Sequence, residues 1–214
     1  MSTHIYPSPD QVHKVKALFT KHGGMLRTRH AIEAGVHPRI LYALRDAGVL
    51  ECLSRGVYRL ADAPPLANPD LVTVSLRAPD GVICLISALA FHRLTTQIPH
   101  EVYLALPRGS EPPRIDFPPV RAFWFTANVF EAGIEKQMLD GFPVRIYSPE
   151  KTLADCFKYR HKIGMETALE AIRLYKERCR MNVETLLKFA EICRVQKAMR
   201  PYLEAILPAA TFCR

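Results

Sequence analysis

Arg55 and Arg59 flank Gly56 and Tyr58 in the hexapeptide Arg55-Gly56-Val57-Tyr58-Arg59-Leu60. A tight turn between two short apolar strands is expected to project both guanidinium groups and the phenol from one ribbon. Arginine binds phosphate through paired N–H donors and fits a narrow minor groove, so this spacing suits DNA contact better than bond-breaking chemistry. An ordinary exposed hairpin could carry the same residues, and the preceding segment tips the balance. Arg27, Thr28 and Arg29, with His30, start a short helical stretch, where free backbone N–H groups suit phosphate contacts. Arg39, Tyr42 and Arg45 lie on the outer side of the next helical stretch and are the candidates for base edges.

Catalytic arrangements do not assemble. Pro69-Asp70 and Pro79-Asp80 could each begin a nuclease-like acidic site, but no Glu-x-Lys or Asp-x-Lys follows anywhere in the chain. A Gly-rich phosphate loop, a His-Glu-x-x-His pair and a Gly-x-Ser-x-Gly elbow are also missing from the sequence. Asp155, one turn after Lys151, reads as a helix-face ion pair, and His92, His100 and His161 read as solvated or hydrogen-bonded. The cysteines Cys52, Cys84, Cys156, Cys179, Cys193 and Cys213 form no Cys-x-x-Cys pair. None lies beside a histidine at ligand spacing, so no zinc, other metal or cofactor is expected. In runs such as Val82–Ile86, cysteine serves as a small hydrophobe.

The elements that must position these residues are punctuated by proline and glycine. Ser8-Pro9 starts a first helix that Gly23-Gly24 ends; Thr28 caps a second through Ala34, with Gly35 as its stop. Pro38 opens a third, with Ile40, Leu41, Leu44 and Ala47 inward. Gly48 leads into the Arg55–Leu60 hairpin, and the order helix, helix, turn, helix, ribbon predicts a winged helix-turn-helix over residues 1–64. Asp62-Ala63-Pro64-Pro65 closes this first domain as a stiff connection. Residues 65–214 read as a mixed domain. Asn68 caps a helix through Leu76, although Val72-Thr73-Val74 keeps a strand open. Val82–Leu85 is a strand, and Ser87 caps a helix to about Leu94. Strands follow at Glu101–Leu106, Val120–Phe125, Ile134–Leu139 and Phe142–Tyr147. From Ser148 only helices follow: the first begins at Pro149, and later ones cover Met165–Arg178, Val183–Cys193 and Gln196–Leu207. The fold class is therefore α+β, with a sheet to about residue 147 and a helical tail over 148–207.

The 214 residues carry a formal charge of +8. Residues 1–64 hold nine Lys/Arg against five Asp/Glu, residues 65–147 seven against eight, and residues 148–214 thirteen against eight. Two basic ends around a neutral middle suit a polyanion. The tail clusters Lys158, Arg160, His161, Lys162 and Arg173, Lys176, Arg178, Arg180 read first as solvated helix faces, with a DNA or acidic-partner contact as the alternative. The longest apolar run, residues 81–91, is too short to span a bilayer, and the amino terminus has no signal-peptide pattern. A reduced, cytoplasmic protein is expected.

Three blocks together resemble the AbiEi family, the antitoxin-repressors of AbiE-type (type IV) toxin–antitoxin systems. They are the N-terminal module with its Arg55–Leu60 wing, the stretch Cys84–His92 continuing through Leu94–Pro99, and Tyr147-Ser148-Pro149-Glu150-Lys151-Thr152-Leu153-Ala154-Asp155-Cys156-Phe157-Lys158-Tyr159-Arg160. The resemblance implies a non-enzymatic repressor that binds inverted repeats in its own promoter. It also implies that the second domain counters a nucleotidyltransferase-like toxin, without a stable complex in many such pairs, in systems associated with phage defence. A plain winged-helix regulator with a ligand-sensing second domain, or a nucleic-acid-processing enzyme with an unfamiliar site, are the alternatives the residues leave open.

Overall fold

The computed structural model describes residues 7–178 and 181–206, so Arg180, Leu207, Cys179 and Cys213 lie outside the described residues. The elements in chain order are α1 (Pro9–Lys21), β1 (Met25–Arg27), α2 (Thr28–Glu33), α3 (Pro38–Asp46), β2 (Leu50–Ser54), β3 (Val57–Leu60), α4 (Pro69–Arg77), β4 (Val82–Ile83), α5 (Leu85–Phe91), β5 (Val102–Pro107), β6 (Val120–Phe125), α6 (Ala127–Glu131), β7 (Ile134–Leu139), β8 (Phe142–Tyr147), α7 (Pro149–Lys158), α8 (Arg160–Ile163), α9 (Met165–Arg178), α10 (Val183–Ile192) and α11 (Gln196–Ile206). This is a mixed α+β protein.

The chain divides into two compact units. The first comprises Met1–Pro79, Pro113–Pro119 and Met138–Pro143; the second comprises Asp80–Pro112, Val120–Gln137 and Val144–Arg214. The first unit thus runs past the Pro64-Pro65 junction to take in α4, which packs on β3. It also draws in two later segments.

In the first unit, α1 starts with a capping box: the Ser8 hydroxyl accepts from the Gln11 N–H at 3.3 Å while the Gln11 side chain accepts from the Ser8 N–H at 2.9 Å. Three antiparallel strands follow in the order β1-β3-β2. The face of β3 carrying Tyr58 and Leu60 joins Val15, Phe19, Leu26, Leu41, Leu44 and Leu50 in one apolar core. Every residue of that core lies within the first 64 positions.

Strand β1 has no counterpart in the sequence reading, because three residues are too few to show a period of two. Thr28 is the first residue of α2 rather than its cap; Arg27 holds the cap position, without a side-chain cap bond. On α3, Leu41 and Leu44 are fully buried and Ile40 half-buried, whereas Ala47 is exposed. The chain turns out of the helix at Ala47, its C-cap. For α4, Asn68 sits at the cap in a conformation (φ −133°, ψ 61°) that brings its side chain to no backbone N–H. The carboxylate of Asp140 instead ties down the backbone that enters the helix, accepting from the N–H groups of Ala67 and Asn68 at 3.0 Å each.

The second unit is built on a five-stranded sheet in the order β6-β5-β4-β8-β7. Strand β4 runs antiparallel to β5 and parallel to β8, and β5 runs parallel to β6. Strand β4 stops two residues earlier than the apolar run suggests, because Cys84 already caps α5. Ser87 is correspondingly inside α5, where its hydroxyl accepts the Tyr103 N–H at 2.9 Å and ties the helix to β5.

Helix α7 is the centre of this unit. Ser148 caps it, accepting from the Lys151 N–H at 3.3 Å, and residues 151–157 are all buried. Gly133 passes against its first turn: at φ +72°, a Cβ there would stand 2.7 Å from that of Lys151, so only glycine fits. The i, i+4 ion pair read from the sequence is present, with Lys151 Nζ 2.5 Å from Asp155 Oδ2, but neither side chain has any exposed surface. Lys151 Nζ also lies 4.1 Å from the Tyr147 ring centre and 5.0 Å from that of Phe125. Burial raises the Asp155 carboxyl above the usual range, with Lys151 opposing the shift. Cys193 donates its thiol to Asp155 Oδ1 at 3.3 Å, and its pKa is pushed up to about 12, chiefly by burial.

These surroundings sort the cysteines by reactivity, since the thiolate is the nucleophile. Alkylation mapped by mass spectrometry should label exposed Cys52 in the native protein. Cys84, Cys156 and Cys193, all buried, should be labelled only on unfolding. Rapid native labelling of those three would contradict the packing around α7.

Candidate nucleic-acid interface

Helix α3 presents the predicted base-reading side chains together. Its cap is His37, whose ring Nδ1 accepts the Arg39 N–H at 3.2 Å. With Leu41 and Leu44 turned into the core, Arg39, Tyr42 and Arg45 face outward, and Tyr42 is 46% exposed. Arg45 is not wholly free: it donates to Asp46 Oδ1 at 2.7 Å and lies 5.6 Å from the Tyr42 ring centre. Arg39 has no ion pair among the described residues and is the most available cation of this face.

The β2–β3 turn departs from the expected ribbon. Arg55 is exposed at its tip, next to Gly56 at φ +78°. Tyr58 and Arg59, however, lie in β3, the central strand, and are flanked on both sides. Tyr58 is only 4% exposed and packs in the apolar core; burial raises its phenol above the usual range, with Arg45 near enough to oppose the shift. The Arg59 side chain is 11% exposed and pairs with Glu51 at 3.4 Å. It also donates to the carbonyls of Ala63 and Pro64. Sequence spacing alone could not reveal this, because the pairing that makes β3 central comes from β1, thirty residues upstream.

Arg27, Thr28 and Arg29 stand beside this turn. The Thr28 N–H donates to the Gly56 carbonyl at 2.9 Å, so the free helix-start donor expected there is already used. Arg29 pairs with Glu33 at 2.7 Å on the surface. Arg27 is partly buried, and burial, followed by the like charges of Arg77 and Arg29, holds its guanidinium below the usual arginine range. Arg77 is the residue sequence reasoning missed: from the end of α4 it donates to the carbonyls of Arg55 and Arg114. Backbone acceptors leave no trace in side-chain spacing.

Among the described residues, no cluster of three or more His, Cys, Asp or Glu side chains is placed to hold a metal ion. No helix there is long and apolar enough to cross a membrane.

Residues 13–61 match the family described as "Transcriptional regulator, AbiEi antitoxin". Over this segment the chain is similar to the AbiEi regulators. The AbiEi match covers α1 from His13 through the end of β3, and so contains α3 and the β2–β3 turn, the elements described above. It supports a role in transcription regulation and as an antitoxin. The crystal structure of the RV2827C protein from Mycobacterium tuberculosis is similar in fold over both units, at 13% identity and a TM-score of 0.60, covering 95% of this chain and 84% of that one. No curated protein matches the chain.

Proposed function

We propose that the first unit is a winged helix-turn-helix that binds duplex DNA at the promoter of its own operon, with α3 in the major groove and the β2–β3 turn as the wing. The observation that carries this reading is the order α1-β1-α2-α3-β2-β3 closed by the β1-β3-β2 sheet. That order buries Leu41 and Leu44 and leaves Arg39, Tyr42 and Arg45 outward on one helix. Arg39 and Tyr42, with Arg45, read base edges; Arg27, Thr28, Arg29 and Arg55 contact phosphates. Tyr58 and Arg59 serve this surface by holding β3 in place. Reading an inverted repeat takes two copies of the chain. The second unit supplies the antitoxin activity, countering a nucleotidyltransferase-like toxin in the cytoplasm as part of phage defence.

Full-length protein titrated with a duplex from its own upstream region, and with a random duplex of equal length, tests the DNA reading. If about five to eight phosphates are neutralised, the log–log salt slope is about −4 to −7. Arg39→Ala and Tyr42→Ala should each reduce discrimination between the two duplexes by about 1–3 kcal/mol. Arg55→Ala should weaken both complexes alike. A flat salt response, or equal losses on both duplexes from the α3 variants, would remove the assignment.

A further inference from the structure

Three arginines gather at the β2–β3 turn with one carboxylate between them. Arg27 feels the charges of both Arg77 and Arg29, and Arg29 has Glu33 as its partner. Neither Arg27 nor Arg77 makes an ion pair with a carboxylate among the described residues. The partners of Arg77 are the carbonyl oxygens of Arg55 and Arg114, which fix the guanidinium in place but, being neutral, leave its full charge.

The Thr28 hydroxyl and the Arg77 guanidinium meet at the same point: a Cβ on Gly56 would lie 3.6 Å from Thr28 Oγ1 and 3.4 Å from Arg77 Nη1. Like charges held together by their own chain repel one another and are relieved by an anion. A tetrahedral oxyanion suits a guanidinium and a hydroxyl that meet at one point, with two further positive charges beside them.

We propose that Arg27, Arg29, Thr28 and Arg77 form a clamp for a backbone phosphate of nucleic acid beside the β2–β3 turn, and that Arg77 carries this site beyond the matched segment onto α4. The inference rests on the DNA reading above and extends its footprint to an element outside residues 13–61. Arg77 both contributes a charge and, through the Arg55 carbonyl, sets where the turn stands.

The test compares wild type, Arg77→Gln, Arg77→Lys and a charge control in the second unit, Lys188→Gln, each titrated with a random duplex over a range of salt and each melted without DNA. Removing one phosphate contact should make the log–log salt slope of Arg77→Gln shallower by about one, with affinity at low salt falling about threefold to tenfold. Arg77→Lys should keep the wild-type slope, and Lys188→Gln should leave it unchanged. A competition arm with inorganic phosphate separates the sources: free phosphate that displaces the duplex from wild type but not from Arg77→Gln would overturn the assignment to a nucleic-acid backbone. An unchanged slope in Arg77→Gln, whatever its melting point, overturns the clamp and leaves Arg77 a structural brace. A slope change in Lys188→Gln as large as that in Arg77→Gln overturns it too, as an effect of net charge. Wild type that binds no duplex overturns the DNA reading and the clamp together; wild type that binds while Arg77→Gln matches it overturns the clamp alone.

Discussion

Lys151→Met is expected to destabilise the second unit by about 3–5 kcal/mol at neutral pH, because it strands the Asp155 carboxylate with no exposed surface. Asp155→Leu should cost a similar amount by stranding the ammonium. The two variants should part company as pH changes. A stranded buried charge is relieved by neutralisation, which costs about 1.4 kcal/mol per pH unit away from the ordinary pKa.

Without Lys151, the Asp155 pKa lies above its unfolded value, so the folded state binds more protons and the deficit shrinks as pH falls toward the unfolded pKa near 4. Without Asp155, the buried Lys151 ammonium is left with no carboxylate partner, and acid offers that variant no such relief. Between pH 7 and 5 the Lys151→Met deficit should shrink by about 2.7 kcal/mol if the orphaned Asp155 carboxyl is neutral throughout. The double variant Lys151→Met/Asp155→Leu should recover most of the loss, since an apolar pair of similar volume costs little where a stranded charge costs much. Denaturant unfolding at the two pH values measures all of this. Parallel pH dependence in the single variants would show that the pair is not ionised in the native protein.

Leu44→Ala should have the second large effect. The side chain is fully buried among Leu41, Phe19 and the other apolar residues of the first unit, and truncating such a leucine costs about 2–5 kcal/mol. A core of this size supplies only a few kcal/mol net, so most of the first unit should unfold. DNA retention should then be lost at any salt, while the second unit keeps its own cooperative transition around α7. Protection from the toxin, supplied from a separate constitutive promoter, should survive if protection belongs to the second unit. Loss of protection despite an intact second transition would place part of that activity in the first.

The sequence made most helices of both units legible because proline at the first helical position and an oxygen-bearing cap recur at Ser8-Pro9 and Ser148-Pro149, whereas the short α6 and α8 escaped, being too brief to show a helical period. The strands Val120–Phe125, Ile134–Leu139 and Phe142–Tyr147 were legible because proline, glycine or Asp140-Gly141 bounds them. What escaped were features defined by distant partners. Strand β1 exists because β3 pairs with it. The backbone leading into α4 is tied down by a carboxylate 72 residues from Asn68. Arg59, read as a free phosphate ligand, is drawn to carbonyls at the start of the inter-element connection. Lys151 and Asp155 were legible as a pair but not as buried, since spacing along a helix gives neighbours and not depth. Within the candidate interface, the face of α3 was legible from periodicity alone, and the role of Arg77 was not.

The start of α4 is held by Asp140, and this has a consequence for how the chain is made. The apolar core of residues 7–64 can close as soon as those residues leave the ribosome, whereas Asp140 follows the Ala67 it binds by 73 residues. At about 5–20 residues per second, that carboxylate arrives about 4 to 15 seconds later. Arg77 waits half as long for the Arg114 carbonyl. The newborn chain therefore owns α3 before it owns the anchor of the helix that braces the turn, and a ribosome paused in that interval carries a first unit whose β2–β3 turn is not yet fixed.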